Sequence, residues 1–329
     1  MFANNPIKWT VGIFFFVFLF TQHGVAQQLQ LPRISPAMKV VGTIGFSTVT
    51  IDYSSPAIKG REVWGKLVPY GLIQSQFGNG NPMPWRAGAN ENTVITFSDD
   101  VKVEGHVLPA GSYGVHMIPS ESEWTIIFSK NYWSWGSFFY EEKEDALRFQ
   151  VKPQEAPFTE WLTYGLTNFT SNSAEVVLQW EKLAVKFKVE CDTATLILKN
   201  IKNQLCGQLG FSWQGWNQAA FYCMQTNSNF EQGRQWLEQS FKLNENSTNR
   251  NTLGYLLDAA GKTAEAEKVF RENVLKFPGD WNVLDSLGEF CGKYGNKKDA
   301  IKYYTLALKK APQGQKNRIE NTLKTLQGK

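Results

Sequence analysis

Histidine is scarce in this chain: three in 329 residues, one of them, His23, near the N-terminus. If that segment is removed on export, only His106 and His116 remain, too few for a three-histidine zinc site. No HExxH or CxxC spacing offers another route to a metal, so neither metal nor cofactor is expected. A GxSxG turn is also missing, which leaves a serine hydrolase without its nucleophile elbow. Charged residues make up only 19% of the chain, and no basic stripe interleaved with aromatics occurs, so nucleic acid is excluded as a partner.

Cysteine is sparse and late. Cys191, Cys206, Cys223 and Cys291 all lie in the C-terminal part, without metal-like spacing. They read as small buried helix residues, with a Cys206–Cys223 disulfide as the alternative. Long apolar runs are limited to Val11 to Phe20, preceded by Lys8 and followed by the small residues Gly24-Val25-Ala26. That is the layout of a cleaved secretory signal, and the run is short for a bilayer-spanning helix. Residues 1–26 are therefore expected to be a signal peptide cut near Ala26, the protein exported to the periplasm or beyond, and no membrane span left afterwards. Cleavage leaves 33 basic against 30 acidic residues, a balance that favours no polyanionic partner.

What the chain has in quantity is aromatic surface, with 12 Trp and 23 Phe, enough to bury two modest cores. From Thr48 to Glu190 apolar residues recur with period two: Val49, Ile51 and Tyr53; Trp124, Ile126 and Phe128; Leu147, Phe149 and Val151; Val176, Leu178 and Trp180; Val185, Phe187 and Val189. Alternation of this kind puts one face of each strand in water. Less regular strands are expected at Val94 to Phe97, Val101 to Val103 and Tyr113 to Ile118, with turns at Glu104-Gly105-His106 and Pro109-Ala110-Gly111. Roughly nine or ten such strands, with no crossover helices between them, predict an antiparallel β-sandwich or barrel over residues 31–191.

Beyond Asp192 the period becomes helical, and a repeat of 34 residues emerges: Leu253-Gly254 recurs as Leu287-Gly288, Gly261 as Gly295, Ala266 as Ala300, Phe270 as Tyr304, Pro278 as Pro312. This pattern resembles the tetratricopeptide repeat, in which small residues let paired helices touch and aromatics fill the groove between them. A degenerate unit spans Trp213 to Asn246, a helix near Thr195 to Leu205 precedes it, and one from Gln315 to Leu326 closes the array. Residues 195–328 thus read as an all-α repeat array after the β domain, with a peptide or protein as partner.

One loop stands out chemically. Pro84-Trp85-Arg86-Ala87-Gly88-Ala89-Asn90-Glu91-Asn92-Thr93 crowds an aromatic, a permanent cation, an amide and a carboxylate together. Trp85 suits stacking on a planar ligand face, Arg86 a fork onto a carboxylate or phosphate, and Asn90 paired donor and acceptor contacts. The structural alternative has Arg86 paired with Glu91 or Asp100, Trp85 in the core and Gly88 making a turn. His116 falls on the strand face opposite Tyr113, Val115 and Met117, where a satisfied structural histidine competes with a ligand contact, and His106 sits exposed in a turn. The segment Tyr132 to Tyr140 offers Trp133, Trp135 and Tyr140 for a carbohydrate cleft, or else for core. If that segment is extended, Trp133 and Trp135 share a face. Gly71 to Pro84, rich in Gly and Asn, is either a flap or a plain surface loop, and Lys59-Gly60-Arg61-Glu62 reads as a solvated turn.

Taken in order, Lys59-Gly60-Arg61, Trp64-Gly65, the Trp85 to Glu91 run, Leu108 to Tyr113 and Trp135-Gly136 resemble an exported bacterial family known as domain of unknown function 2911. In its members the connection from Pro69-Tyr70-Gly71 to the Trp-Arg pair is often shorter than here. The resemblance implies the β fold and the compartment; the family has no established activity, so the chemistry stays open. The expectation is a non-enzymatic adaptor whose β domain holds a small molecule or glycan through Trp85, Arg86, Asn90, Glu91, His116, Trp133, Trp135 and Tyr140. An envelope hydrolase working through Glu91 and His116 is one alternative, a purely structural β domain the other.

Overall fold

The structure is a computed structural model, and it describes residues 31–328. The expected signal segment lies outside the described residues. Among those residues, no helix is long and apolar enough to cross a membrane.

Among the described residues ten strands come first: β1 (Ala37–Ile44), β2 (Ser47–Ser54), β3 (Thr93–Phe97), β4 (Val101–Val103), β5 (His106–Leu108), β6 (Gly111–Ile118), β7 (Trp124–Ser129), β8 (Asp145–Val151), β9 (Gln154–Thr167) and β10 (Ser173–Cys191). They form a six-stranded sheet in the order β1-β2-β3-β6-β7-β8 and a four-stranded sheet in the order β5-β4-β10-β9, all pairs antiparallel. The sheets face each other across one core, where Phe187 of β10 meets Phe128 and Phe149 edge-on at 5.6 Å. Among the described residues no barrel closes, so of the two expected architectures the sandwich is the one formed.

Sequence periodicity locates the central strands and misplaces some edges. The stretches expected as two strands around Val176 and Val185 are one strand, β10, whose register with β9 slips around Glu181, a residue at φ 56°. Such an extra residue bends a strand without ending it. His106 begins β5 opposite Val103, and the turn itself is Glu104-Gly105, at φ 47° and 81°, the twist a two-residue hairpin needs. Strand β6 has no wet face: His116 is 2% exposed because the segment after β7 folds over it.

Eight α-helices follow among the described residues: α1 (Thr193–Leu205), α2 (Trp213–Gln225), α3 (Phe230–Asn244), α4 (Ser247–Ala259), α5 (Thr263–Lys276), α6 (Trp281–Lys293), α7 (Lys297–Lys310) and α8 (Gln313–Gln327). Pairs α2/α3, α4/α5 and α6/α7 make three repeats of a tetratricopeptide-like array. The repeating small residues work by proximity: a Cβ on Gly254 would lie 2.7 Å from the Phe270 ring, and one on Gly288 3.1 Å from Tyr304. Polar groups tie successive repeats together, with Asn251 Nδ2 donating to Ser286 Oγ at 2.9 Å and Arg318 to Asp285 at 2.7 Å. Helix α8 covers the open end with Ile319 and Leu323. All four cysteines are free: Cys191, Cys223 and Cys291 are buried and Cys206 is exposed. The Cys206–Cys223 bridge is not formed, and burial pushes the Cys223 thiol up to about 11.

Candidate functional site

Strand β3 ends its pairing with β6 at Val115, and Trp85 takes the next place, exchanging backbone hydrogen bonds of 2.8 Å with Met117. That register turns the Trp85 side chain inward, as the pleat requires. It stacks on Trp180 at 6.2 Å and meets Trp64 and Trp124 edge-on. Trp85 is 7% exposed, so it is a core residue with one edge on a cavity and not a free stacking platform.

The cavity measures about 350 Å³ and is bordered by Arg61, Trp85, Arg86, Gly88, Ser137 and Trp180 among others, a size that suits a small molecule. Arg86 is held in its wall. Its Nη1 donates to the Asn90 carbonyl at 2.5 Å, its guanidinium lies 4.9 Å from the Phe138 ring centroid, and Gly136 leaves the room, since a Cβ there would fall 2.3 Å from Cζ. Partial burial lowers the Arg86 pKa, the direction expected for a cation short of counter-charge.

Glu91 does not supply that charge. Both its oxygens accept from Arg33, at 3.0 and 2.5 Å, and Ser54 reaches it at 3.5 Å. The Arg33 hydrogen bonds hold its carboxyl below the usual range. Asp100 is likewise not the partner of Arg86, so both pairings expected on structural grounds are replaced. Asn90 uses its side-chain amide on the Ser35 carbonyl at 3.3 Å and its own carbonyl on Arg86, a supporting role.

His116 lies behind the cavity wall. Its Nδ1 is 2.8 Å from Ser137 Oγ, and its ring meets Tyr140 edge-on at 5.4 Å. Burial first, and the charge of Arg86 second, push its pKa down to about 3, so the ring is neutral. Tyr140 is buried too, donating to Asp145 at 2.9 Å and accepting from Arg148 at 2.7 Å; burial and the Asp145 charge raise its pKa. Trp133 and Trp135 point the other way, 74% and 56% exposed. Their segment is bent and turned, not extended, so a strand face is not what they share.

Ser137, Arg61 and Trp180 border the cavity without having been marked by sequence. Arg61 sits in the expected solvated turn, yet its guanidinium is fixed by the Ala57 and Ile58 carbonyls at 2.6 and 2.9 Å. The Gly71 to Pro84 loop is tied down at both ends. Ile73 and Met83 exchange backbone hydrogen bonds at its base, and Asn79 near its tip donates to the Phe138 carbonyl at 3.1 Å.

The sandwich, its Trp-Arg loop and the glycines that admit Arg86 coincide with a sequence family. Residues 35–189 match the model of a family described as "Protein of unknown function (DUF2911)". Over its β-sheet part the chain is similar to this family. No curated protein matches the sequence. Among solved structures the array is similar to PcrH from Pseudomonas aeruginosa, at 12% identity and TM-score 0.32, covering 35% of this chain and 91% of that one. The type III secretion chaperone SycD of Yersinia enterocolitica, solved with a peptide of the translocator YopD, gives 15%, 0.31, 35% and 91%. A thermophilic TPR protein of Thermus thermophilus gives 16% and 0.33, covering 40% of this chain and 71% of that one.

Proposed function

We propose that this chain is an exported, non-enzymatic adaptor of the cell envelope, in which the DUF2911 domain holds a small molecule and the helical array engages a peptide or protein. The observation that carries the first half is the cavity at Trp85 and Arg86, whose polar wall is held by protein contacts; preorganisation of this kind lowers the cost of binding. The second half rests on the three stacked repeats, an architecture that presents an extended surface to partners. The hydrolase reading through Glu91 and His116 has little to stand on. Glu91 is occupied by Arg33, and a histidine held near 3 is a poor base at neutral pH.

A second reading has its own observation. The exposure of Trp133 and Trp135 gives a glycan two indole faces outside the cavity.

The full mature chain, screened against small molecules, glycans and peptides beside Arg86→Ala and Trp133→Ala, tests these assignments. Small-molecule binding should fall with Arg86→Ala alone, glycan binding with Trp133→Ala alone, and peptide binding with neither. Absence of binding in all three classes would remove the adaptor reading.

A further inference from the structure

The cavity carries an imbalance of charge. Arg61 and Arg86 border it, and none of its lining residues is Asp or Glu. Neither arginine has a carboxylate partner among the described residues, and residues 1–30 contain no acid. A partly buried guanidinium without counter-charge is costly to keep, and this one is retained in a built seat of Gly136, Phe138 and the Asn90 carbonyl. Of the five N–H donors an arginine has, the Arg86 side chain spends one on protein among the described residues, at Nη1. Beside it, Ser137 Oγ is fixed by the neutral His116 ring, a polar group without charge.

Apart from Ser35, the remainder of the wall is apolar, including Ile34, Leu67, Ile73, Met83 and Trp180. Ile34 and Leu67 are 79% and 39% exposed, which puts greasy side chains where the cavity meets solvent. Two cationic side chains and hydrocarbon in the wall of one cavity define the complementary ligand. Resting on the reading of this cavity as a ligand site, we propose that it takes an organic anion with an apolar body, a medium-chain monocarboxylate, its carboxylate on Arg86 with Arg61 nearby and its chain along Ile34, Leu67 and Met83. A guanidinium fork matches two carboxylate oxygens, and inorganic phosphate would leave the apolar walls unused.

Titration calorimetry on the full mature chain with four probes, octanoate, 1-octanol, octylammonium and inorganic phosphate, tests this. Octanoate should bind one to one, at least about tenfold tighter than 1-octanol, as a charge-assisted contact implies, with octylammonium and phosphate weaker still. Arg86→Gln should erase the octanoate preference and leave 1-octanol unchanged, and Arg86→Lys should keep part of it. Equal affinity of the native chain for octanoate and 1-octanol overturns the anion assignment while the ligand cavity stands. Phosphate competing as well as octanoate overturns the organic class, and no binding by any probe overturns the cavity as a ligand site as well. Should Arg86→Gln fail to fold, the octanoate to 1-octanol ratio of the native chain, remeasured in Arg61→Gln, decides the matter.

Discussion

Ala87 and Asn90 take up left-handed backbone in the Trp-Arg loop, at φ 52° and 58°, and the glycine between them does not. Gly88 is required for closeness instead: a Cβ there would lie 2.7 Å from Thr93 Oγ1 and 3.2 Å from the Ser54 carbonyl. The strained Ala87 is pinned by Tyr164 and Thr93, whose hydroxyls donate to its carbonyl at 2.9 and 3.0 Å, the kind of over-determination that keeps unfavourable backbone in place. His116 yields a pH prediction. Its folded pKa of about 3 lies below the ordinary 6.5, so between these values the unfolded chain binds the proton and the folded one does not. Stability is therefore fully expressed above pH 6.5 and falls as pH drops toward 3, with a slope of up to about 1.4 kcal/mol per pH unit. Urea denaturation at pH 7 and pH 5 should show a smaller loss in His116→Gln than in the native chain; equal losses would show that His116 is not the group responsible. A replacement at Glu91 belongs to the same scale. Its ion pair with Arg33 is roughly half exposed on both sides, so Glu91→Gln should cost at most about 1 kcal/mol and leave octanoate binding unchanged, while a lost binding isotherm would return Glu91 to the site.

Strands β1 and β9 are not among the strands expected from sequence, and both lie at sheet edges. Each has a dry face over only part of its length, Ile44 at the end of β1 and Leu162 and Tyr164 in β9, while Met38, Val41 and Phe158 lie in water, so the alternation is diluted by exposed apolar residues. The repeat glycines are the helical counterpart of close packing. Alanine normally stabilises a helix relative to glycine by about 1 kcal/mol, but at Gly254 the new methyl meets the buried Phe270 ring at 2.7 Å, against 3.1 Å at Gly288. Overpacking at the first site costs about 1–3 kcal/mol. Gly254→Ala should thus lower the urea midpoint and Gly288→Ala should change it little; the reverse ranking would mean that the two helix pairs do not pack as described.

On the scale of the whole molecule, two regions with separate apolar cores share one chain, and the array depends on its last helix. Ile319 and Leu323 of α8 complete the core that holds Leu287, Tyr304 and Ala307. Ending the chain at residue 312 should expose that core, lower the thermal midpoint of the helical signal and promote self-association, as happens when a repeat array loses its cap. Unchanged melting would mean that α8 is dispensable.

Residue order alone determined the two-part architecture, the central strands and the three repeats, because burial writes a period of two or 3.6 into any element with one dry face. The 34-residue repeat likewise marks where helices touch. Only the tertiary structure decided the site. Charge pairing is set by distance through space: Arg33 lies 58 positions from Glu91 yet takes the carboxylate that the loop had offered to Arg86. Whether Trp85 faced water, whether Ser137 met His116 and whether Arg61 met a cavity depended on how the segments after β2 and β7 fold over β6. No local period records such contacts.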